Sequence, residues 1–334
     1  MAKGRIGVLD HDENWVLEPT FDGMLTTLEG PVPIKRGKLW GLLDREGSVV
    51  IDPAFDEIGA FTGPLAPARK NKNWGYIDAF GSWAIEPTFE AARSFRDERA
   101  GVKKDGKWGF IDTGGAFVIE PKHDGVTVFS DGRAGFNVGG TDFNGLLTIG
   151  GKWGIVDVEG DVIVKPTFDT FVGYSNGLCA VQKAGKTQVL DVGGKAVWKP
   201  KAGIFVGPFR EGRAWAWDGT TVAQLRGVVS DAFEWLTEPE FSDSGVFSEG
   251  LCAANVGGER SEGDLVGGLW GFVDQDGAVA IEPAFDMADG FFAGVAAVKK
   301  KGRWGLVGKD GVVVVPLAYS EIGALSESLV LARA

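Results

Sequence analysis

The chain has 334 residues, 44% of them hydrophobic, and a formal net charge of −12. That much apolar side chain can bury a sizeable core, while the surplus of acid repels phosphate backbones and argues against nucleic acid as a partner. No N-terminal apolar run and no stretch of about 18 apolar residues occurs, so neither a signal peptide nor a membrane span is expected. Cys179 and Cys252 occupy the same position of two units. They read as small core residues of a cytoplasmic protein, not as a disulfide or a metal pair.

From the N-terminus onward one short segment keeps returning: Trp-Gly, two apolar residues, then usually Asp. It stands at Trp40-Gly41, Trp74-Gly75, Trp108-Gly109, Trp153-Gly154, Trp270-Gly271 and Trp304-Gly305, at a basic period of 34 residues. With the glycine as origin, nine units follow, at Gly7, Gly41, Gly75, Gly109, Gly154, Gln188, Gly227, Gly271 and Gly305. Twelve residues after the origin comes proline (Pro19, Pro53, Pro87, Pro121, Pro166, Pro200, Pro239, Pro283), with Pro316 one residue early. Three residues after it there is usually Asp, six after it usually Gly, and about twenty after it an aromatic residue. Residues 1–334 are therefore read as a single repeat domain.

The unit around Trp108 gives the expected elements. Strand A is Arg99 to Lys104, and an Asp105-Gly106 turn leads to strand B, Trp108 to Asp112. Asp112 and Gly115 mark a second hairpin turn before strand C, Ala116 to Glu120. Pro121 is expected to end strand C, because it has no N–H to give to a ladder. Residues 122–130 leave room for a fourth short strand before Phe129. Apolar and polar residues alternate in strand A, and no helical period is seen, so the fold class is all-β. The motif tryptophans, and Trp15, Trp83 and Trp235 eight residues after their origins, are expected in the core.

The first unit starts almost at strand B, and the last runs on to Leu329–Arg333, which reads as another strand A. The two ends can thus complete one sheet. A closed propeller-like ring of nine β-meander repeats is favoured; an open β-solenoid or superhelix is the alternative.

The segments Asn73-Trp74-Gly75-Tyr76-Ile77-Asp78, Lys107-Trp108-Gly109-Phe110-Ile111-Asp112 and Lys152-Trp153-Gly154-Ile155-Val156-Asp157, with the trailing Ile-Glu-Pro-x-Phe pattern at Ile85 and Ile281, carry a resemblance. The chain resembles the bacterial WG-repeat, or KWG-repeat, family. The resemblance covers the whole chain and implies β-rich repeats with a binding role and no shared catalytic residues. Units one, six and seven depart from it, with Ile6, Thr187 and Arg226 in place of Trp.

The residues themselves offer no catalytic set. His11 and His123 fall in different units, and no Cys-x-x-Cys, phosphate-binding glycine loop or Ser-His-Asp pattern occurs. No catalysis, cofactor or metal is expected; a hydrolase working through paired carboxylates is the least favoured reading. The breaks in the repeat are more informative. All large length variation falls in the turn between strands A and B: Asn137 to Gly151, Asp218 to Leu225 and Asn255 to Gly268. Long turns at one edge of a rigid scaffold are where recognition sits. Trp215 and Trp217 lie beside them on one side of a strand, either as an exposed hot spot or as filling in a degenerate unit. The expected partner-binding residues are Trp215, Trp217, Asp218, Asp142, Phe143, Glu259, Arg260, Glu262 and Asp264. The expected function is a non-catalytic scaffold for a basic protein, such as an immunity protein that neutralises a toxin or effector. A lectin-like module stacking glycan on exposed Trp is the alternative.

Overall fold

The computed structural model describes residues 4–10, 12–25, 27, 30–143, 145, 147–262, 264–326 and 329–333. His11 lies outside them. Among the described residues all regular structure is β, arranged as nine antiparallel sheets. Among the described residues no helix is long and apolar enough to cross a membrane. Blade 4 shows the unit: a lead strand Ala91–Ala92, strand A Arg99–Lys104, strand B Lys107–Asp112 and strand C Phe117–His123, hydrogen-bonded in that order. The topology is that of a closed nine-bladed β-propeller.

Closure is built into blade 1. Ile6–Asp10 pairs over five residues with Leu329–Arg333, and the sheet is completed by Glu321–Ala324 and Trp15–Phe21. The N-terminal segment therefore supplies strands B and C, and the C-terminal segment the lead strand and strand A. By its contacts the chain forms two compact units, Met1–Phe21 with Pro200–Ala334 and Asp22–Lys199. Blades 1, 7, 8 and 9 make up the former and blades 2 to 6 the latter.

The Trp-Gly register has a steric cause. In blade 4 Trp108 pairs with His123 and Phe110 with Ile119, so a step of two residues on strand B spans four on strand C. The extra residues bulge toward Gly109, where a Cβ would lie 2.8 Å from the Pro121 nitrogen and 2.9 Å from the Glu120 carbonyl carbon. Only glycine fits beneath this bulge. Gly41, Gly75, Gly271 and Gly305 face the same crowding from their own strand C. Pro121 thus lies inside a strand and does not end one, contrary to the expectation. It is tolerated because strand C is the edge of its sheet and donates to no further ladder.

The recurring turn Asp also has a direct role. Asp112 Oδ1 accepts from Gly114 N at 3.0 Å and Ala116 N at 2.9 Å. Gly115, at φ +85°, closes the turn by donating to the Asp112 carbonyl. Asp44, Asp78 and Asp274 repeat the arrangement.

Neighbouring blades within each unit are clamped through backbone groups. Arg99 Nε donates to the Val158 carbonyl and Arg133 Nε to the Val192 carbonyl, each at 2.8 Å. Asp97 accepts from Gly132 N, and Asp131 from Gly177 N. The aromatic slot is core: Phe61, Phe95, Phe129, Phe209 and Phe247 are all buried. Cys179 and Cys252 are buried free thiols, both pushed up to about 12 by burial.

Candidate functional site

Two of the three long turns are not loops. In blade 5 the ladder continues outward as Arg133–Phe143 paired with Leu147–Asp157, and in blade 8 as Leu251–Ser261 paired with Asp264–Asp274. These hairpins, arm 5 and arm 8, extend beyond the strands A and B of the other blades. Both leave the sheet by the same device. A fully buried asparagine stands opposite the motif Trp, Asn137 across from Trp153 and Asn255 across from Trp270. Its amide bridges the base of the hairpin. Asn137 Oδ1 accepts from Gly140 N at 3.0 Å and Nδ2 donates to the Gly150 carbonyl at 3.1 Å; Asn255 does the same with Gly258 and Gly267. Glycine pairs flank this bridge, with Gly139, Gly150 and Gly151 at positive φ in arm 5 and Gly257, Gly267 and Gly268 in arm 8.

Elsewhere the position opposite the motif Trp carries a cation. Lys35 lies 5.5 Å from the Trp40 ring, Arg69 5.7 Å from Trp74 and Lys299 5.7 Å from Trp304. Blade 7 swaps the pair: Trp217 stands in the cation slot and Arg226 in the Trp slot, still 5.2 Å apart. Trp40, Trp74 and Trp304 thus form half-buried shelves under a cation, and Trp153 and Trp270, opposite the asparagines, are also only partly buried against the core, a correction to the sequence reading. Trp108 is the fully buried case, covered by Arg93 at 4.9 Å. Trp15 and Trp83 are likewise only partly buried, and Trp235 is exposed.

Each arm has two faces, since side chains alternate along a strand. The inward face of arm 5 carries Asp142 and, opposite it, Thr148. Asp142 accepts from Lys103 Nζ of blade 4 at 2.5 Å, and little of either side chain is exposed. Burial holds the neighbouring Arg93 below its ordinary pKa, with Asp142 opposing that shift. The outward face carries Phe143 across from Leu147 and Thr141 across from Ile149. Phe143, Leu147 and Ile149 are 60%, 57% and 58% exposed, a contiguous apolar strip on a hairpin that stands clear of its sheet.

Arm 8 is the polar counterpart. Arg260 points inward, 3.3 Å from Asp243, which also pairs with Arg226 at 2.7 Å. Its outward face carries Glu259, Ser261, Asp264 and Val266, with Glu262 at the tip, all exposed. The third long turn, after Asp218, is a true loop. Asp218 accepts from Thr220 N and Oγ1, which lower its pKa, so it caps the loop.

Of the expected contact residues, Phe143, Glu259, Glu262 and Asp264 are on the surface. Asp142 and Arg260 are turned inward as anchors. Trp215 must be corrected: it is 5% exposed, stacks on Phe247 at 6.0 Å, meets Phe241 edge-on at 5.4 Å and donates from Nε1 to Cys252 Sγ at 3.3 Å. The slot it fills holds Gly101 and Gly135 in blades 4 and 5, where Val126 and Phe171 of the next blade take the space. In blade 7 Trp215 itself supplies the bulk at this slot, packed against Phe247, Cys252 and Ala254 of blade 8. Trp217 is half-buried between Phe205, stacked at 5.8 Å, and Arg226. Leu147 and Ile149 were missed. Their alternation with Thr148 across from Thr141-Asp142-Phe143 was the available signal. Among the described residues no group of acidic, Cys or His side chains could hold a metal.

Solved structures similar to this chain include the following. A eukaryotic initiation factor superposes over 93% of this chain and 95% of its own, with a TM-score of 0.60 at 11% identity. BamB from Moraxella catarrhalis matches 77% of this chain and 92% of its own, with a TM-score of 0.43 at 12% identity. At 11% identity the likeness to the initiation factor speaks for the fold alone. No curated protein matches the chain. The model of the WG containing repeat matches residues 40–74, 74–108, 108–141, 153–186, 227–259, 270–304 and 304–333. Six of those segments begin at or contain a Trp-Gly pair, and the segment 227–259 is the unit in which Arg226 replaces the Trp; the chain belongs to the WG containing repeat family.

Proposed function

We propose that the chain is a non-catalytic scaffold that binds a protein partner through the outward face of arm 5. The observation that carries this reading is the exposed strip Phe143, Leu147 and Ile149, held on a hairpin whose inner face is anchored by Asp142 and Lys103. An anchored apolar strip buries area on binding with little loss of conformational freedom. The net charge of −12 and the acidic outward face of arm 8 favour a basic partner and speed its approach at low salt. An immunity protein that neutralises a basic toxin is one protein of this kind. The glycan reading has lost the Trp215–Trp217 platform on which it rested.

The test is site-specific photo-crosslinking in the native cell. A photoreactive residue at Phe143 is expected to capture a discrete basic protein, and one at Val162, equally exposed on strand C of blade 5, is not. Equal labelling at both positions, or capture of acidic proteins only, would sink the reading.

A further inference from the structure

The seam between arm 5 and blade 4 contains four buried polar atoms that no protein group satisfies: Trp108 Nε1, Arg93 Nε, Asp142 Oδ1 and Thr148 Oγ1. The architecture gathers them. The Arg93 guanidinium lies over the Trp108 ring, and a Cβ on Gly145, at the tip of the arm, would stand 3.9 Å from Trp108 Cζ2, two bonds from that indole nitrogen. Asp142 uses its other oxygen, Oδ2, on Lys103, the residue directly across from Trp108. Thr148 faces Asp142 across the arm and closes over Gly125.

A buried polar atom left without a partner has lost its hydration and gained nothing in return. Four in one seam of a folded protein call for a common partner. Trp108 and Arg93 each present an N–H. Asp142 Oδ1 accepts, and the Thr148 hydroxyl accepts as readily as it donates. Two donors opposite two acceptors is the complement of water, which accepts two hydrogen bonds and donates two. Ions match less well: a cation would meet Arg93 and Lys103, and an anion the Asp142 carboxylate. Arm 8 has a different anchor, because Asp243 there pairs directly with two guanidinium groups.

We propose that the seam beneath arm 5 is a site for resident water, one or two ordered molecules that bridge Trp108, Arg93, Asp142 and Thr148 and fasten the arm to blade 4. The site is independent of what the outward face binds. A high-resolution crystal structure of the full chain is expected to show water within hydrogen-bond reach of about three or all four of these atoms. The Thr148→Val variant keeps the shape and removes one partner. Its water is expected to leave or to move away from position 148, and amide exchange in arm 5 to rise on the order of three- to tenfold, with arm 8 unchanged. A dry seam, direct pairing among the four atoms, an ion in place of water, or unchanged exchange with the water still in position would overturn the proposal. Should the variant fail to fold, the density of the parent protein decides alone.

Discussion

Arm 5 and arm 8 are built alike and fastened differently. Both spring from a buried asparagine bridged to two glycine backbones. Beyond that hinge they diverge in sign and in polarity. Arm 5 turns a carboxylate inward to a lysine and an apolar strip outward; arm 8 turns an arginine inward to an aspartate and acidic side chains outward. The hinge is therefore a reusable device, and the side chains beyond it decide what the hairpin rests on and what it offers.

Exchanging the anchors is the severest way to break this comparison. Asp142→Arg places a third cation against Lys103 and Arg93, and is expected to cost about 3–5 kcal/mol in urea denaturation. Arg260→Asp sets two carboxylates side by side but leaves Arg226 between them, and is expected to cost about 1–3 kcal/mol. Equal losses in the two variants would show that the local charges do not hold the arms.

The hinge itself can be removed from either arm. Asn137→Ala and Asn255→Ala each remove the partner of a part-buried N–H and of a glycine carbonyl and leave a cavity at a fully buried position, for an expected loss of about 2 kcal/mol. Because the hinges match, the two losses should agree within about 0.5 kcal/mol. A large difference in their melting curves would mean that one asparagine is incidental.

Acid should separate the arms next. His123, in the slot that holds Phe89, Phe168 and Phe285 elsewhere, packs on Phe136 at the root of arm 5, ring centroids 4.6 Å apart. Burial, with some help from Lys122, lowers its pKa to about 4 from an ordinary 6.5. The folded state thus favours the neutral ring. Its stability is undiminished above pH 6.5 and is lost as the pH falls from there toward about 4, by about 3 kcal/mol. His123→Phe should abolish that acid loss. A pH–stability profile identical in the parent and the variant would refute the assignment.

The smallest effect is expected outside. Phe143→Ser with Leu147→Ser should change stability by no more than about 0.5 kcal/mol, because both side chains already face solvent, yet should eliminate partner capture at arm 5. Val266→Ser on arm 8 is expected to leave capture intact. Thermal melts together with crosslinking yield check both.

Much of this was legible in the chain. The spacing of Trp-Gly, Asp and Pro gave the blades, and the complementary ends gave the closure. The bulge is hard to see because proline, which lacks an N–H, reads as a stop. The fixed glycine twelve residues earlier is the sign that the backbone comes close there. The arms read as long turns by their length alone, yet Asn-Val-Gly-Gly occurs in both, at 137–140 and 255–258. The burial of Trp215 could not be read from its own strand, since the space it fills is set by the next blade. The role of Trp217 could: paired with Arg226, it is the usual couple with its members exchanged.

The prolines of strand C bear on how the protein behaves in company. Every sheet of a propeller ends in a strand whose outer groups have no partner, and a molecule with so many such margins invites its copies to join strand to strand into fibres. Here Pro19, Pro53, Pro87, Pro121, Pro166, Pro283 and Pro316 all sit within these outermost strands. Each removes one donor and keeps a bulge in the strand, so a second copy finds a broken template. The residue that sets the repeat's register also keeps a crowded population of these molecules apart.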